Sequence, residues 1–164
     1  MSLCPYYKIK NEYRIIYLDD IKLMYKKQNA IITGDGKNNL RDLLIKFNHV
    51  YFERNYNKIA NLTNVPQKGE KVEYDWRFNL SKGAMIEDVE QNEIPILEEI
   101  ARKAAEIINL RVGSIDIIKT DEGEYKIIEI NSGLMMENFA DIYPRGEEIV
   151  HNIYSEAILK MLKL

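Results

Sequence analysis

The first readable pattern along the chain is a pair of short runs rich in β-branched and aromatic residues, Tyr13-Arg-Ile-Ile-Tyr-Leu18 and Ile21-Lys-Leu-Met-Tyr25, joined by Asp19-Asp20. Two such runs around a two-residue polar link predict a β-hairpin. The favoured turns need positive φ at the centre, which aspartate adopts less readily than glycine, so the turn type stays open. Ala30-Ile-Ile-Thr33 then stops at Gly34-Asp35-Gly36. Leu40, Leu43, Leu44 and Phe47 follow at spacings of three and four, predicting a helix after a glycine-bounded turn. Between Tyr51 and Lys71 the period is lost and Asn, Pro66 and Gly69 accumulate, which predicts a long connection. Lys71-Val-Glu-Tyr74 alternates polar and apolar residues and predicts a strand, feeding a polar, glycine-ended loop that runs to Ala84.

The clearest helix is predicted from Pro95 to Asn109, where Ile96, Leu97, Ile100, Ala104, Ile107 and Ile108 recur every three to four residues among good helix formers. Val112–Ile118 and Tyr125–Ile130 flank Asp121-Glu122-Gly123 and predict a second hairpin. Ile149, Val150, Ile153, Ala157, Ile158 and Leu162 mark an amphipathic closing helix over 147–162. Hairpins early and late, with helices between and after them, predict an α+β fold: an antiparallel sheet with flanking helices.

Composition narrows the picture. A chain of 164 residues is about one domain and long enough to bury a core. With 46% hydrophobic and 30% charged residues it is too apolar for intrinsic disorder. A formal charge of -3 offers no general attraction to nucleic acid. The single cysteine, Cys4, excludes an internal disulfide and a cysteine-rich zinc site, in keeping with a reducing, cytoplasmic setting. No apolar run is long enough for a bilayer and the start lacks a signal-peptide pattern, so neither membrane insertion nor export is expected. Nothing in the chain settles the oligomeric state.

The residues that carry chemistry are Asp116 on one strand of the late hairpin and Glu129 and Asn131 on the other. Alternate side chains of a strand share a face, so Glu129 and Asn131 point one way, and pairing can bring Asp116 alongside. Acids opposite one another destabilise a sheet unless a cation separates them, and magnesium takes such hard oxygen donors. The plainer reading is the wet polar face of a hairpin. Ser132-Gly133 ends the strand and permits close backbone approach, and beyond it Glu137 and Asn138 suit either a helix start or a ligand contact.

Gly113-Ser-Ile-Asp-Ile-Ile118 followed by Tyr125-Lys-Ile-Ile-Glu-Ile-Asn-Ser-Gly133 resembles the closing motif of ATP-grasp carboxylate–amine ligases, an acid in a Gly-x-x-Asp strand and then Glu-x-Asn about a dozen residues on. Three further stretches match in order. Cys4-Pro-Tyr-Tyr7 with Glu12-Tyr13-Arg14 resembles the adenine linker and first strand, Gly34-Asp35-Gly36-Lys37 the turn before a helix, and Asn79-Leu-Ser-Lys-Gly83 the family's Asn-Leu-Ser-x-Gly loop. The resemblance implies ATP as cosubstrate, with magnesium, or manganese in its place, on Asp116, Glu129 and Asn131. It implies adenine on the backbone of Pro5, Tyr6 and Tyr7, ribose on Glu12, and Arg14 facing the phosphate or acyl-phosphate region as a catalytic group. Asn79 and Lys82 would contact phosphate oxygens, Lys82 as a second catalytic group, and Lys27 stands where relatives carry arginine. Lys26, Lys37 and Arg77 read as solvated charges, and His49 and His151 as structural.

The implied reaction is phosphorylation of a small-molecule carboxylate by ATP and attack of an amine on the acyl phosphate, forming an amide or peptide bond. Such phosphoryl transfer needs charge neutralisation more than a dedicated histidine. The chain departs from many relatives in lacking proline after Asn131-Ser-Gly-Leu134. By the same resemblance, residues 1–164 form one C-terminal ATP-grasp subdomain, without the preceding lid subdomain and N-terminal substrate domain, and Met1-Ser-Leu3 reads as an expression scar on an excised piece. Such a piece would bind nucleotide weakly and turn over little, because half the phosphate cage is missing. Two rivals stand beside the ligase: a nucleotide-binding module with no catalysis of its own, and a partner-binding domain whose acidic face is simply wet.

Overall fold

In the computed structural model of the chain, the described residues are 7–75, 79–82 and 84–162; for seven of these, Lys82 among them, the backbone alone is described. They fall into two compact units, one containing the chain up to Lys27 and from Ile86 onwards, the other Gln28–Met85.

The first unit is built on a five-stranded sheet in the order β5-β2-β1-β6-β7, from β1 (Ile9–Leu18), β2 (Ile21–Gln28), β5 (Met85–Glu87), β6 (Val112–Thr120) and β7 (Tyr125–Asn131). β1 pairs antiparallel with both β2 and β6, and β6 with β7, so both expected hairpins form. Asp19 turns the first one at φ 55, the left-handed conformation that its short polar side chain tolerates. One face carries Tyr13, Ile15, Ile115 and Ile117 against Leu97, Ala101 and Ala104 of α2 (Ile94–Ile107). The expected apolar stripe of α2 is therefore narrower than its isoleucines suggested. Ile96, Ile107 and Ile108 are exposed, while Ala101, Ala104 and Ala105 are buried.

Tyr25 on the other face meets Phe139 of α3 (Glu137–Ile142) at 5.0 Å between ring centroids, and Phe139 stacks on Tyr143 at 4.8 Å. Val150, Ile153 and Ala157 form the buried stripe of α4 (Gly146–Leu162), whereas Ile158 and Leu162, also expected to be buried, are exposed. Lys160 ties this helix to the first hairpin through Leu18 O at 3.4 Å and Asp19 at 3.2 Å.

One irregularity matters for the site. Asp116 lies opposite Glu129 but Ile117 lies opposite Ile127, leaving Ile128 as an extra residue on the edge strand β7. This is a β-bulge.

The second unit contains β3 (Ala30–Thr33) paired antiparallel with β4 (Lys71–Asp75), and α1 (Leu40–Asn55). Asn39 caps α1 by accepting from Asp42 N at 2.9 Å. Its core is Ile32, Leu40, Leu43, Leu44 and Phe52. Burial of Phe52 extends the helix through Tyr51–Asn55, where the sequence predicts a connection, and a 3-10 turn follows at Tyr56–Lys58. The Gly-Asp-Gly-Lys turn is bound to the loop before β4: Gly34 N donates to Glu70 O and Gly69 N to Gly34 O. A Cβ on Gly34 would lie 2.3 Å from Gln67 O. No helix among the described residues is long and apolar enough to cross a membrane.

Candidate active site

Register on the first unit's sheet assembles a charged row on the face turned away from α2. Glu12 lies opposite Lys27, Arg14 opposite Tyr25 on one side and Asp116 on the other, and Asp116 opposite Glu129. Asn131 lies opposite Ser114, two residues along from the acids. Gly113 lets β7 come this close, because a Cβ there would meet Asn131 O at 2.4 Å.

Asp116 is 3% exposed. Arg14 grips it with both arms of its guanidinium, Nε to Oδ1 at 2.8 Å and Nη2 to Oδ2 at 2.6 Å. Lys27 Nζ bridges two acids, donating to Glu12 Oε1 at 2.5 Å and to Asp116 Oδ1 at 3.2 Å. Burial alone would push Asp116 upward, but the hydrogen bonds from Arg14 and the charge of Lys27 more than reverse it, and the carboxyl is held below its ordinary value. The same bonds hold Arg14 above its ordinary value. Glu12 goes the other way, because burial and the neighbouring Asp116 charge outweigh Lys27 and raise it. Tyr25, buried beside Arg14, is pushed up to about 12, chiefly by burial.

The structure thus gathers Glu12, Arg14, Lys27 and Asp116 and sets exposed Glu129 and half-buried Asn131 in register beside them. Glu137 falls in the first turn of α3, the helix-start alternative. Tyr7, the described member of the stretch expected to hold adenine, has Lys126 Nζ over its ring at 4.7 Å, whereas Pro5 and Tyr6 lie outside the described residues. Asn79 and Lys82 belong to the second unit, where Asn79 Oδ1 accepts from Ser81 N at 3.0 Å and Ser81 Oγ at 2.8 Å. Arg77 lies outside the described residues, and Lys37 is exposed as expected. His49 and His151 are both exposed on helices, His49 beside Glu53 at i+4.

Lys26, read from sequence as a wet charge, is only 7% exposed. β2 is an interior strand, so its ammonium needs a partner inside the unit, and finds Glu87 on β5 at 2.9 Å. Tyr25 was missed as a site residue, although counting outward from the Asp19-Asp20 turn places it opposite Arg14 and Lys27 opposite Glu12.

The donor set is chemically suited to magnesium. It offers hard oxygen only, from two carboxylates and an amide on one face, with Asp116 held ionised. Among the described residues no group of three or more His, Cys, Asp or Glu gathers as a metal cage.

A model of the RimK-like ATP-grasp domain matches residues 59–149, more than half of the chain. Among solved structures, the chain is similar to a bifunctional glutathione synthetase from Pasteurella multocida, with a TM-score of 0.61 and 17% identity over 92% of this chain and 25% of that one. It is also similar, with a TM-score of 0.42 and 16% identity, to a RiPP-associated ATP-grasp ligase from Chryseobacterium gregarium solved with ADP and a leader and core peptide, over 87% of this chain and 32% of that one. The ATP-grasp ligase PsnB with a minimal precursor gives 0.41 and 14%, over 91% of this chain and 35% of that one. The chain thus spans a quarter to about a third of the length of these structures. No curated protein matches it. At such identity the likeness to the glutathione synthetase establishes the fold, an α+β architecture with an antiparallel sheet and flanking helices.

Proposed function

This chain belongs to the RimK-like ATP-grasp family, and from that footing we propose that it supplies the nucleotide- and metal-holding sheet of an ATP-dependent carboxylate–amine ligase. The observation that carries the reading is the row of Glu12, Arg14, Lys27 and Asp116 on one face, in register with Glu129 and Asn131. The reaction is transfer of a phosphoryl group from ATP to a small-molecule carboxylate, followed by amine attack that forms the amide and releases phosphate.

Asp116, Glu129 and Asn131 would hold magnesium, which when bound supplies charge neutralisation to the phosphates. Arg14 and Lys27 keep Asp116 ionised and fixed, at 2.6 and 3.2 Å. They are also cations suited to an incoming polyphosphate, and the planar fork of Arg14 matches phosphate oxygens in pairs. Glu12 accepts from the ribose hydroxyls, and the backbone around Tyr7 receives the adenine edge. Asn79 and Lys82 contribute further phosphate contacts in this reading. The chain is assigned to the C-terminal part of the ATP-grasp unit, and selection of the carboxylate and amine to the rest of such an enzyme.

Titration calorimetry tests the proposal. The chain should bind ATP more tightly with magnesium than without it. Glu129→Gln, at an exposed position that leaves the core intact, should weaken the magnesium-dependent part about tenfold, or about 1.4 kcal/mol. Equal binding with and without magnesium, or an unaffected Glu129→Gln, would favour a wet polar face.

A further inference from the structure

The face of the sheet opposite the charged row holds a second buried acid. Glu93 is 2% exposed and stands at the N-cap of α2, but its side chain makes no cap hydrogen bond to the helix it begins. It turns to the sheet instead. Oε2 accepts from Tyr13 Oη at 2.8 Å, and Oε1 from Lys119 Nζ at 2.7 Å and Tyr125 Oη at 2.9 Å. Asn11 Nδ2 adds a donor to Tyr13 Oη at 3.0 Å. Burial pushes Glu93 upward, but the three donors outweigh it and hold the acid below its ordinary value.

Its three partners lie on three strands, and these are the strands that carry the proposed site. Tyr13 sits on β1 between Glu12 and Arg14, Lys119 on β6 three residues after Asp116, and Tyr125 at the start of β7, which ends in Glu129 and Asn131. Lys119 and Tyr125 are also a cross-strand pair. Resting on the function proposed above, we infer that Glu93 is a positioning residue that fixes from behind the mutual spacing of the strands bearing Glu12, Arg14, Asp116, Glu129 and Asn131. Helix α2 is the rigid mount for this carboxylate, seated on the same face by Leu97 and Ala101. Groups bonded directly to a metal's ligands typically change affinity about ten- to a hundredfold when lost, and Glu93, which acts through the strands and touches no ligand, belongs at the lower end of that range.

The test compares Glu93→Gln, which keeps the size of the side chain but withdraws its charge from Lys119, with Val89→Ala, which thins the apolar layer of the same face and touches no donor. Magnesium–ATP affinity is measured by titration calorimetry and thermal stability by circular dichroism. Glu93→Gln should lose about tenfold in affinity, while Val89→Ala lowers the melting temperature and binds as wild type. Single-strand variants sharpen the result. Lys119→Met and Tyr125→Phe should raise the magnesium concentration at half-saturation, and Tyr13→Phe should weaken ATP binding in the absence of metal. Affinity losses that track melting temperature across all variants, or wild-type affinity in Glu93→Gln, would overturn the inference while leaving the nucleotide site standing. A wild-type chain that binds no magnesium–ATP would overturn both.

Discussion

Asp116 and Glu93 are the two buried acids among the described residues, on opposite faces of one sheet, and they are satisfied in different ways. Asp116 is held by two long cationic side chains, Arg14 and Lys27, and Lys27 is shared with a second acid. Glu93 is held by two phenols on strands of the sheet and one lysine, and both tyrosine rings belong to the packed layer that also holds Leu97 and Ala101. Cations on flexible stems can re-aim toward a phosphate, whereas a carboxylate bonded to ring hydroxyls in a packed layer has little freedom. The contrast separates an acid arranged to change partners from one arranged to keep them.

The most severe way to break the contrast is Asp116→Asn. It leaves Arg14 without its counter-charge and nearly buried Lys27 with Glu12 alone, and removing one member of a buried pair costs about 3–5 kcal/mol. Urea unfolding should show this loss, and magnesium–ATP binding should disappear with it.

Acid should expose the resemblance between the two groups. Both are depressed below their ordinary values of 3.8 and 4.5. Their contribution is therefore complete above those values and is lost as pH falls through the folded ones. The pH–stability profile should drop below about pH 4, and Asp116→Asn or Glu93→Gln should each flatten that drop.

The mildest test is Glu12→Gln. Burial raises Glu12 in the folded chain. Its favourable contribution is thus complete below the unfolded value and fades as pH rises through the folded one, so at pH 7 the ionised form is a burden. Stability at pH 7 should change by less than about 1 kcal/mol and tend upward, while nucleotide affinity falls.

Much of this arrangement is legible before any coordinates. The hairpins at Asp19-Asp20 and Asp121-Gly123 and the α2 helix follow from periodicity and turn chemistry, which are local, whereas the meeting of Asp116 with Glu129 rests on the bulge at Ile128, since regular counting from the turn sets Ile128 opposite Asp116. Glu93 is not legible. In Asn92-Glu-Ile-Pro95 an acid before a helix looks like an ordinary solvated helix start, and its role depends on three strands brought to it by tertiary packing. Lys26 escapes for the same reason, since only the strand order shows that β2 is interior. Exposure of Ile107 and Ile108 eluded the pattern because small alanines, not the isoleucines, occupy the buried side of α2.

The extra residue at Ile128 has a consequence for how one ribbon serves two acids. In a regular strand, positions 125, 127, 129 and 131 would all present to the same side. Here Tyr125 reaches Glu93 behind the sheet while Glu129 stands opposite Asp116 in front of it, because the bulge shifts the phase midway. A ladder that paired all seven residues without the bulge would force a choice, with the tyrosine or the acid aimed at the wrong side. The irregular step is what allows seven residues to speak to both halves of the chemistry.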